Sequence, residues 1–145
     1  HRMSDYTQVA FWLKKTLRDA GKKFTIVMMH HPVYSTAEGR FNPFIWSAFH
    51  GAMREADVVF SGHDHNYARH TEHYKARFWK KEEPTIFIGT NASTKKYPVK
   101  ENNKYEASLS GEPVYEYIIV TPSTLSVVTY HLTSGEVIDM FQLSR

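Results

Sequence analysis

Phe24-Thr25-Ile26-Val27-Met28-Met29-His30-His31-Pro32 and Val58-Val59-Phe60-Ser61-Gly62-His63-Asp64-His65-Asn66-Tyr67 decide how this chain folds. In each stretch an apolar run of strand character delivers histidines at its C-terminal end. Side chains at the C-terminal ends of adjacent parallel strands converge on one mouth of an α/β sheet, where such folds build their sites. Neutral imidazole is a borderline-soft donor that suits Zn, Fe, Mn or Ni. The two stretches together therefore point to part of a metal-dependent hydrolase.

Working outward, Ser4 or Asp5 is placed to cap a first helix, and Val9, Trp12, Leu13 and Leu17 recur at helical spacing as its buried stripe. Gly21 ends that helix. The run from Phe24 to Met29 is nearly all apolar, as expected of a strand covered on both faces. His31-Pro32 stops it, because proline cannot donate to a sheet. Asn42-Pro43 reads as a cap followed by proline at the first helical position. Ile45, Phe49, Ala52, Met53 and Ala56 are then the buried stripe of a second helix, and Val58 to Phe60 is a second strand. The order α-β-α-β is that of a layered parallel sheet.

Thr85 to Ile88 forms a further strand closing at Gly89, followed by a long polar stretch, Asn91 to Glu112, with no period. Val114–Val120, Leu125–Leu132 and Val137–Leu143 end the chain as an antiparallel meander, with turns at Pro122-Ser123 and Ser134-Gly135-Glu136. We read residues 1–145 as a single partial domain, with a motif-bearing α/β part over 1–91 and the meander over 113–145.

Composition narrows the classes. An apolar fraction of 41% with 14% aromatics argues for a packed core rather than disorder. No apolar run approaches the roughly 18 residues of a membrane span, so no membrane partner is expected. The net charge of +3 rests on scattered pairs such as Lys14-Lys15 and Lys80-Lys81, not on the basic stripe that nucleic acid requires. The chain has no cysteine, which leaves histidine and carboxylate as metal ligands.

Seven of the nine histidines fall between residues 30 and 73, so the site is sought there. In an extended segment His63 and His65 point the same way; if the chain bends after Phe60 they approach two metals from one loop. Gly62 is expected to make room where the backbone nears the site. The run Ser61-Gly62-His63-Asp64-His65-Asn66-Tyr67-Ala68-Arg69 resembles the Gly-His-x-His-x-Tyr-x-Arg signature of calcineurin-like metallophosphoesterases, most closely the purple acid phosphatase branch. Met28 to Ser35 is similar to that family's other histidine motif.

The resemblance implies that His30 and His63 bind one metal ion and His65 a second, the ions being Fe, Zn or Mn. It implies a hydrolase acting on phosphate esters, in a four-layer α/β/β/α sandwich of which this chain is the C-terminal half, and an extracytoplasmic location. His31 is read as packed beside the ligands or touching substrate, and Asp64 as a variable position that is not a ligand. Tyr67 and Arg69 brace the loop. His50, His70, His73 and His131 match nothing in the signature. Where the purple acid phosphatases place histidines against phosphate, this chain has Gly39 and Arg40; Arg40 is the substitute candidate for a phosphate oxygen. Lys95, Lys96, Lys100 and Lys104 in the long loop are further candidates.

The Asp-x-His, Gly-Asp and Gly-Asn-His-Glu/Asp motifs of the family's N-terminal half do not occur in these 145 residues. Three imidazoles without an anionic bridge cannot hold two cations about 3.5–4 Å apart. The expected partner is therefore the N-terminal half of the same domain. The alternative is a non-catalytic fragment or module that binds at most a single metal.

Overall fold

The computed structural model describes residues 3–74, 83–101 and 104–145. Among these, two helices and eight strands run in the order α1 (Met3–Asp19), β1 (Ile26–Met29), α2 (Pro43–Met53), β2 (Val58–Ser61), β3 (Tyr67–Glu72), β4 (Thr85–Gly89), β5 (Ala107–Leu109), β6 (Val114–Val120), β7 (Thr124–His131) and β8 (Val137–Ser144). The strands form two sheets, ordered β1-β2-β4-β3-β5 and β6-β7-β8. In the first sheet β1, β2 and β4 are parallel, β3 runs against β4, and β5 runs against β3 and so shares the direction of the parallel strands. The second is the antiparallel meander.

Local chemistry accounts for the element boundaries. Asn42 caps α2 by accepting from the backbone N–H groups of Phe44 and Ile45 at 3.0 and 3.2 Å, with Pro43 at the first helical position. Gly21 has φ +57°, which ends α1 at little steric cost. At the start of β2, Asp57 is 2% exposed and holds Thr25 through its N–H (2.7 Å) and hydroxyl (3.0 Å). Arg145 pairs with the other Asp57 oxygen at 2.6 Å, tying the end of the meander to the base of the first sheet.

Two apolar cores set the layers. Ile45, Phe49, Ala52 and Met53 of α2 and Ala10 of α1 pack on Val27, Val59 and Phe87. On the other face, Val58, Phe60, Ile86 and Ile88 meet Val114, Leu125 and Val127 of the meander. Complete burial of one such side chain stabilises by about 1.5–3 kcal/mol. The result is helices, sheet and sheet, three layers of the expected four. The outer face of the second sheet leaves Tyr115, Tyr117, Ile119 and Met140 exposed.

Four expectations are corrected. The buried face of α1 is Tyr6, Ala10, Leu13 and Leu17, whereas Val9 and Trp12 are 49% and 61% exposed; this helix carries apolar residues on more than one face, and the packed one lies a residue further round. Strand β1 is not covered on both faces, since Met28 is 72% exposed. The stretch from Asn91 to Glu112 is not without secondary structure, since it contains β5. Tyr67–Glu72 was read only as the tail of a motif, yet it is a full strand.

Candidate metal centre

β1 and β2 are adjacent and parallel, with Met29 in register with Ser61. Their C-terminal ends therefore deliver His30-His31 and His63 side by side. The His63 Nδ1 and His30 Nε2 atoms lie 3.4 Å apart. The His31 ring centroid is 4.3 Å from that of His63 and 4.9 Å from that of His30. One ring nitrogen from each of the three falls within 4.8 Å of the others, and no carboxylate belongs to the group among the described residues. Two nitrogens on a tetrahedral ion, each about 2.0–2.1 Å away, stand roughly 3.3–3.4 Å apart. The His30–His63 pair matches that spacing.

The second histidine loop is bent as a two-sided approach requires. His63 and His65 have φ of +65° and +50°, unusual for residues with a Cβ. The Asp64 N–H donates to the Gly62 carbonyl at 2.7 Å, so His63 sits at the centre of a γ-turn of the rarer, strained hand. Such positions cost about 1–3 kcal/mol each and persist only where surroundings hold them.

Asp64 is what holds them. It is 1% exposed and points into the loop after β1. Its Oδ2 accepts from Ser35 Oγ (2.8 Å), Thr36 N (2.6 Å) and Ala37 N (3.1 Å), and its Oδ1 accepts from Arg40 Nε (3.3 Å). With its lone pairs so engaged, this carboxylate is a staple between the two histidine loops. Thr36 extends the staple by donating to Asn66 at 2.6 Å. Gly89 lies against the same threonine, and a Cβ there would come 3.2 Å from Thr36 Oγ1. That is the tight glycine of the site. At Gly62 an added Cβ would make ordinary contact with the His30 ring at 3.6 Å, so the expected need for space there is not met.

His65 takes a separate direction. Its Nδ1 is 2.7 Å from the hydroxyl of Ser93, its ring leans on Tyr97, and its carbonyl accepts from the Tyr97 N–H. Ser93 is itself fixed by Asn91 Oδ1, which accepts from both its N–H and its hydroxyl. The long loop thus supports a histidine, while Lys96 pairs with Glu112 instead of facing the centre.

Arg40 lies against the cluster. Its Nη2 donates to His63 Nε2 at 2.8 Å and to the His63 carbonyl at 2.9 Å, and its guanidinium covers the Tyr97 ring. Burial, then the charge of Arg40, hold the His63 pKa below its usual value, which favours the neutral, metal-binding imidazole. Among the described residues the hydrogen bonds of Arg40 use Nε and Nη2, which leaves Nη1 as the donor to offer an anion. A cavity of about 520 Å³, lined in part by His31, Arg40, Phe41 and His63, opens beside them.

Among the described residues, the other histidines lie outside the group. His50 stacks on Trp46, and His131 is bound by Ser134. Sequence reasoning missed the roles of Asp64, Thr36, Ser93 and Gly89. The one available signal was Asp64 itself, an acid between two candidate ligands.

Residues 2–67 match the family model of calcineurin-like phosphoesterases. That match covers 66 of the 145 residues, so the likeness to this superfamily is a property of the motif-bearing part. Its fold is similar to that of the purple acid phosphatase PPD1 from yellow lupin (Lupinus luteus), with TM-score 0.69 and 18% identity over 93% of this chain and 28% of the lupin chain. Weaker likenesses are to a Vps29 single mutant from Entamoeba histolytica (TM-score 0.45, 16% identity, 86% of this chain and 57% of that one) and Vacuolar Protein Sorting 29 from Cryptosporidium parvum (0.45, 16%, 86% and 54%). No curated protein matches the chain. The chain therefore spans little more than a quarter of the lupin enzyme and just over half of each Vps29.

Proposed function

We propose that this chain supplies the imidazole side of a dinuclear metallophosphoesterase site that hydrolyses phosphate esters, with His30 and His63 on one ion and His65 on the other. The observation that carries the reading is the 3.4 Å approach of His30 Nε2 and His63 Nδ1, from adjacent parallel strands inside the segment that matches the family. His65 suits the second ion because Ser93 occupies its Nδ1 and leaves Nε2 to coordinate, the usual way a ligating ring is oriented. Ions of Fe, Zn or Mn held there would lower the pKa of water and neutralise charge on the phosphoryl oxygens. For His63 to ligate through Nδ1, its proton must sit on Nε2, and Arg40 must release that nitrogen. The freed guanidinium then faces the cavity, where it can grip a phosphate oxygen.

The bridging carboxylates come, in this proposal, from an N-terminal half of the same domain. Two features support such a partner. Among the described residues, strands β1 and β6 are each unpaired on one side, and the outer face of the second sheet exposes apolar side chains.

A second reading has one observation behind it. His31 joins His30 and His63 in a three-imidazole group that could hold a single ion with no second metal. The two readings separate in this chain together with the proposed N-terminal half, assayed for bound metal and for hydrolysis of p-nitrophenyl phosphate. On the dinuclear reading, His65→Ala leaves one ion and lowers turnover by at least the ~100-fold that loss of a ligand's supporting partner can cost, while His31→Ala keeps both ions. One ion bound in the unaltered protein, lost in His31→Ala and kept in His65→Ala, sinks the dinuclear reading.

A further inference from the structure

The contact between His65 and Ser93 has two possible directions, because a hydroxyl and a neutral imidazole nitrogen can each donate or accept. Nδ1 of His65 lies 2.7 Å from Ser93 Oγ, and among the described residues no hydrogen bond engages Nε2. If Ser93 donates, the ring proton stays on Nε2 and blocks that nitrogen as a ligand. If Ser93 accepts, the proton sits on Nδ1 and Nε2 keeps its lone pair.

Asn91 settles the direction. Its side chain is buried, at 3% exposure. Nδ2 donates to the carbonyls of Ser93 (3.3 Å) and Lys95 (3.1 Å), and an amide oxygen turned to that side would meet only acceptors. Oδ1 is therefore the atom that faces Ser93. It accepts from the Ser93 backbone N–H at 3.0 Å and lies 3.0 Å from the hydroxyl oxygen. An amide oxygen has no hydrogen to give, so this second bond exists only if Ser93 donates its single proton to Asn91. Turned instead to His65, that proton would leave two oxygens opposed at 3.0 Å. The Lys95 N–H donates to the same hydroxyl oxygen at 3.2 Å. Ser93 Oγ thus has one lone pair left for His65 and no proton, so Nδ1 must be the donor.

The arrangement is anchored on both sheets. The Asn91 carbonyl accepts from the Val114 N–H at the start of β6 (2.7 Å), and the neighbouring Thr90 N–H donates to the Ser61 carbonyl at the end of β2 (2.8 Å). Tyr97, further along the same loop, holds His65 through a ring contact (centroids 5.4 Å apart) and through its N–H to the His65 carbonyl (3.3 Å). A ligating histidine usually gives its second N–H to a carboxylate or a backbone carbonyl, oxygens that can only accept. A hydroxyl takes that part here because Asn91 draws its proton away. We infer that Asn91 and Ser93 are positioning residues that fix His65 as the Nδ1–H tautomer, with the lone pair of Nε2 free before any metal ion arrives. The inference rests on the reading of His65 as the ligand of the second ion and adds the two residues that prepare it.

The tautomer is read directly from the ring nitrogen shifts of His65 in the NMR spectrum of the metal-free 145-residue chain, at pH 9, where an ordinary imidazole is neutral. In the unaltered chain Nδ1 is the protonated nitrogen. Ser93→Ala releases the ring to a mixture of tautomers, whereas Ser93→Thr keeps the hydroxyl and with it the Nδ1–H form. Asn91→Ala frees the hydroxyl to donate, and the ring proton moves toward Nε2. With the proposed N-terminal half present, Ser93→Ala weakens Zn²⁺ at His65 about tenfold, as loss of such a support does, and Ser93→Thr restores it. An Nε2–H ring in the unaltered chain, or an Nδ1–H ring that persists in Ser93→Ala, overturns the inference and leaves the two-metal reading standing. Unchanged Zn²⁺ affinity in Ser93→Ala overturns the positioning role. An Nδ1–H ring that depends on Ser93, in a protein that takes up no second ion, upholds the tautomer assignment and sinks the dinuclear reading instead.

Discussion

The two edges of the β-sandwich treat a buried carboxylate in opposite ways. At the β5–β8 edge, Arg69 crosses between the sheets to Asp139. Its Nε donates to Oδ2 at 2.5 Å and its Nη2 to Oδ1 at 3.1 Å, while its Nη1 reaches Glu106. The Tyr67 hydroxyl donates to Asp139 Oδ2 at 2.7 Å and accepts from Thr129 at 3.2 Å. At the β1–β6 edge, Glu116 lines a cavity of about 280 Å³ with Met28, Met29 and Ile118, and its enclosed Oε1 has no hydrogen-bond partner among the described residues. Burial pushes both carboxyl groups up. For Asp139 the hydrogen bonds from Arg69 and Tyr67, with the Arg69 charge, reverse this and leave its pKa below the usual value. For Glu116 a contact from Thr90 offsets only part, and its pKa stays raised. At one edge the carboxylate is satisfied within this chain. The other has the features of an interface, as the proposed N-terminal half requires.

The sharpest way to break the comparison is to remove the cation from the complete edge. Arg69→Ala leaves Asp139, 9% exposed at its side chain, as a buried charge without its counter-ion. Breaking a buried pair in this way costs about 3–5 kcal/mol, read as a fall in the midpoint of urea unfolding. The loss extends to the site, because Tyr67 lies two residues beyond His65 and shares Asp139 with Arg69. A cost below about 1 kcal/mol is typical of an exposed pair and would mean that the clasp does not hold this edge.

Acid gives a finer view of the same edge. The folded-state pKa of Asp139 lies below its usual 3.8, so the unfolded chain takes up this proton first as pH falls. The stabilisation is fully present above that usual value and is lost as pH falls through the folded-state pKa. Asp139→Asn removes the titration. The variant is less stable at pH 7, and its unfolding midpoint declines less steeply in acid than that of the unaltered chain. Parallel acid limbs for the two proteins would show that Asp139 carries no linked proton.

How legible each region was in the sequence follows from the range of the interactions that define it. Asn42-Pro43, the apolar stripe of α2 and the three strands of the meander were readable because each depends on neighbours within a few residues. The convergence of His30 and His63 was readable because strand-end histidines in parallel strands meet by topology. Strand β3 was not readable. Tyr-Ala-Arg-His-Thr-Glu carries charge at positions that face the second sheet, and the acid that permits this burial, Asp139, lies seventy residues further along. Asp64 was hidden for the same reason. Its donors, Ser35 to Ala37 and Arg40, come from the other motif's loop, so spacing within its own motif says nothing of them. The α1 stripe failed differently: with Phe11 and Trp12 among its apolar residues, periodicity alone does not choose the packed face.

Glu116 offers the smallest effect and the most direct probe of the incomplete edge. Its folded-state pKa lies above the usual 4.5, so between those two values the folded chain keeps a proton that the unfolded chain has lost. Stability therefore falls as pH rises through that window and stays lower above it. This is the reverse of Asp139. Glu116→Gln keeps the shape and removes the charge. Its unfolding midpoint is higher than that of the unaltered chain at pH 8, and nearly equal at pH 4, where the carboxyl is largely protonated in both states. A partner that seals the β1–β6 edge by giving Glu116 a hydrogen-bond donor or a cation lowers its pKa and erases that advantage. The difference between Glu116→Gln and the unaltered chain, measured with these 145 residues alone and again with the proposed N-terminal half present, thus reports whether the edge is filled. If the advantage of glutamine at pH 8 persists unchanged with that half present, nothing has reached the carboxylate, and this edge is not its interface.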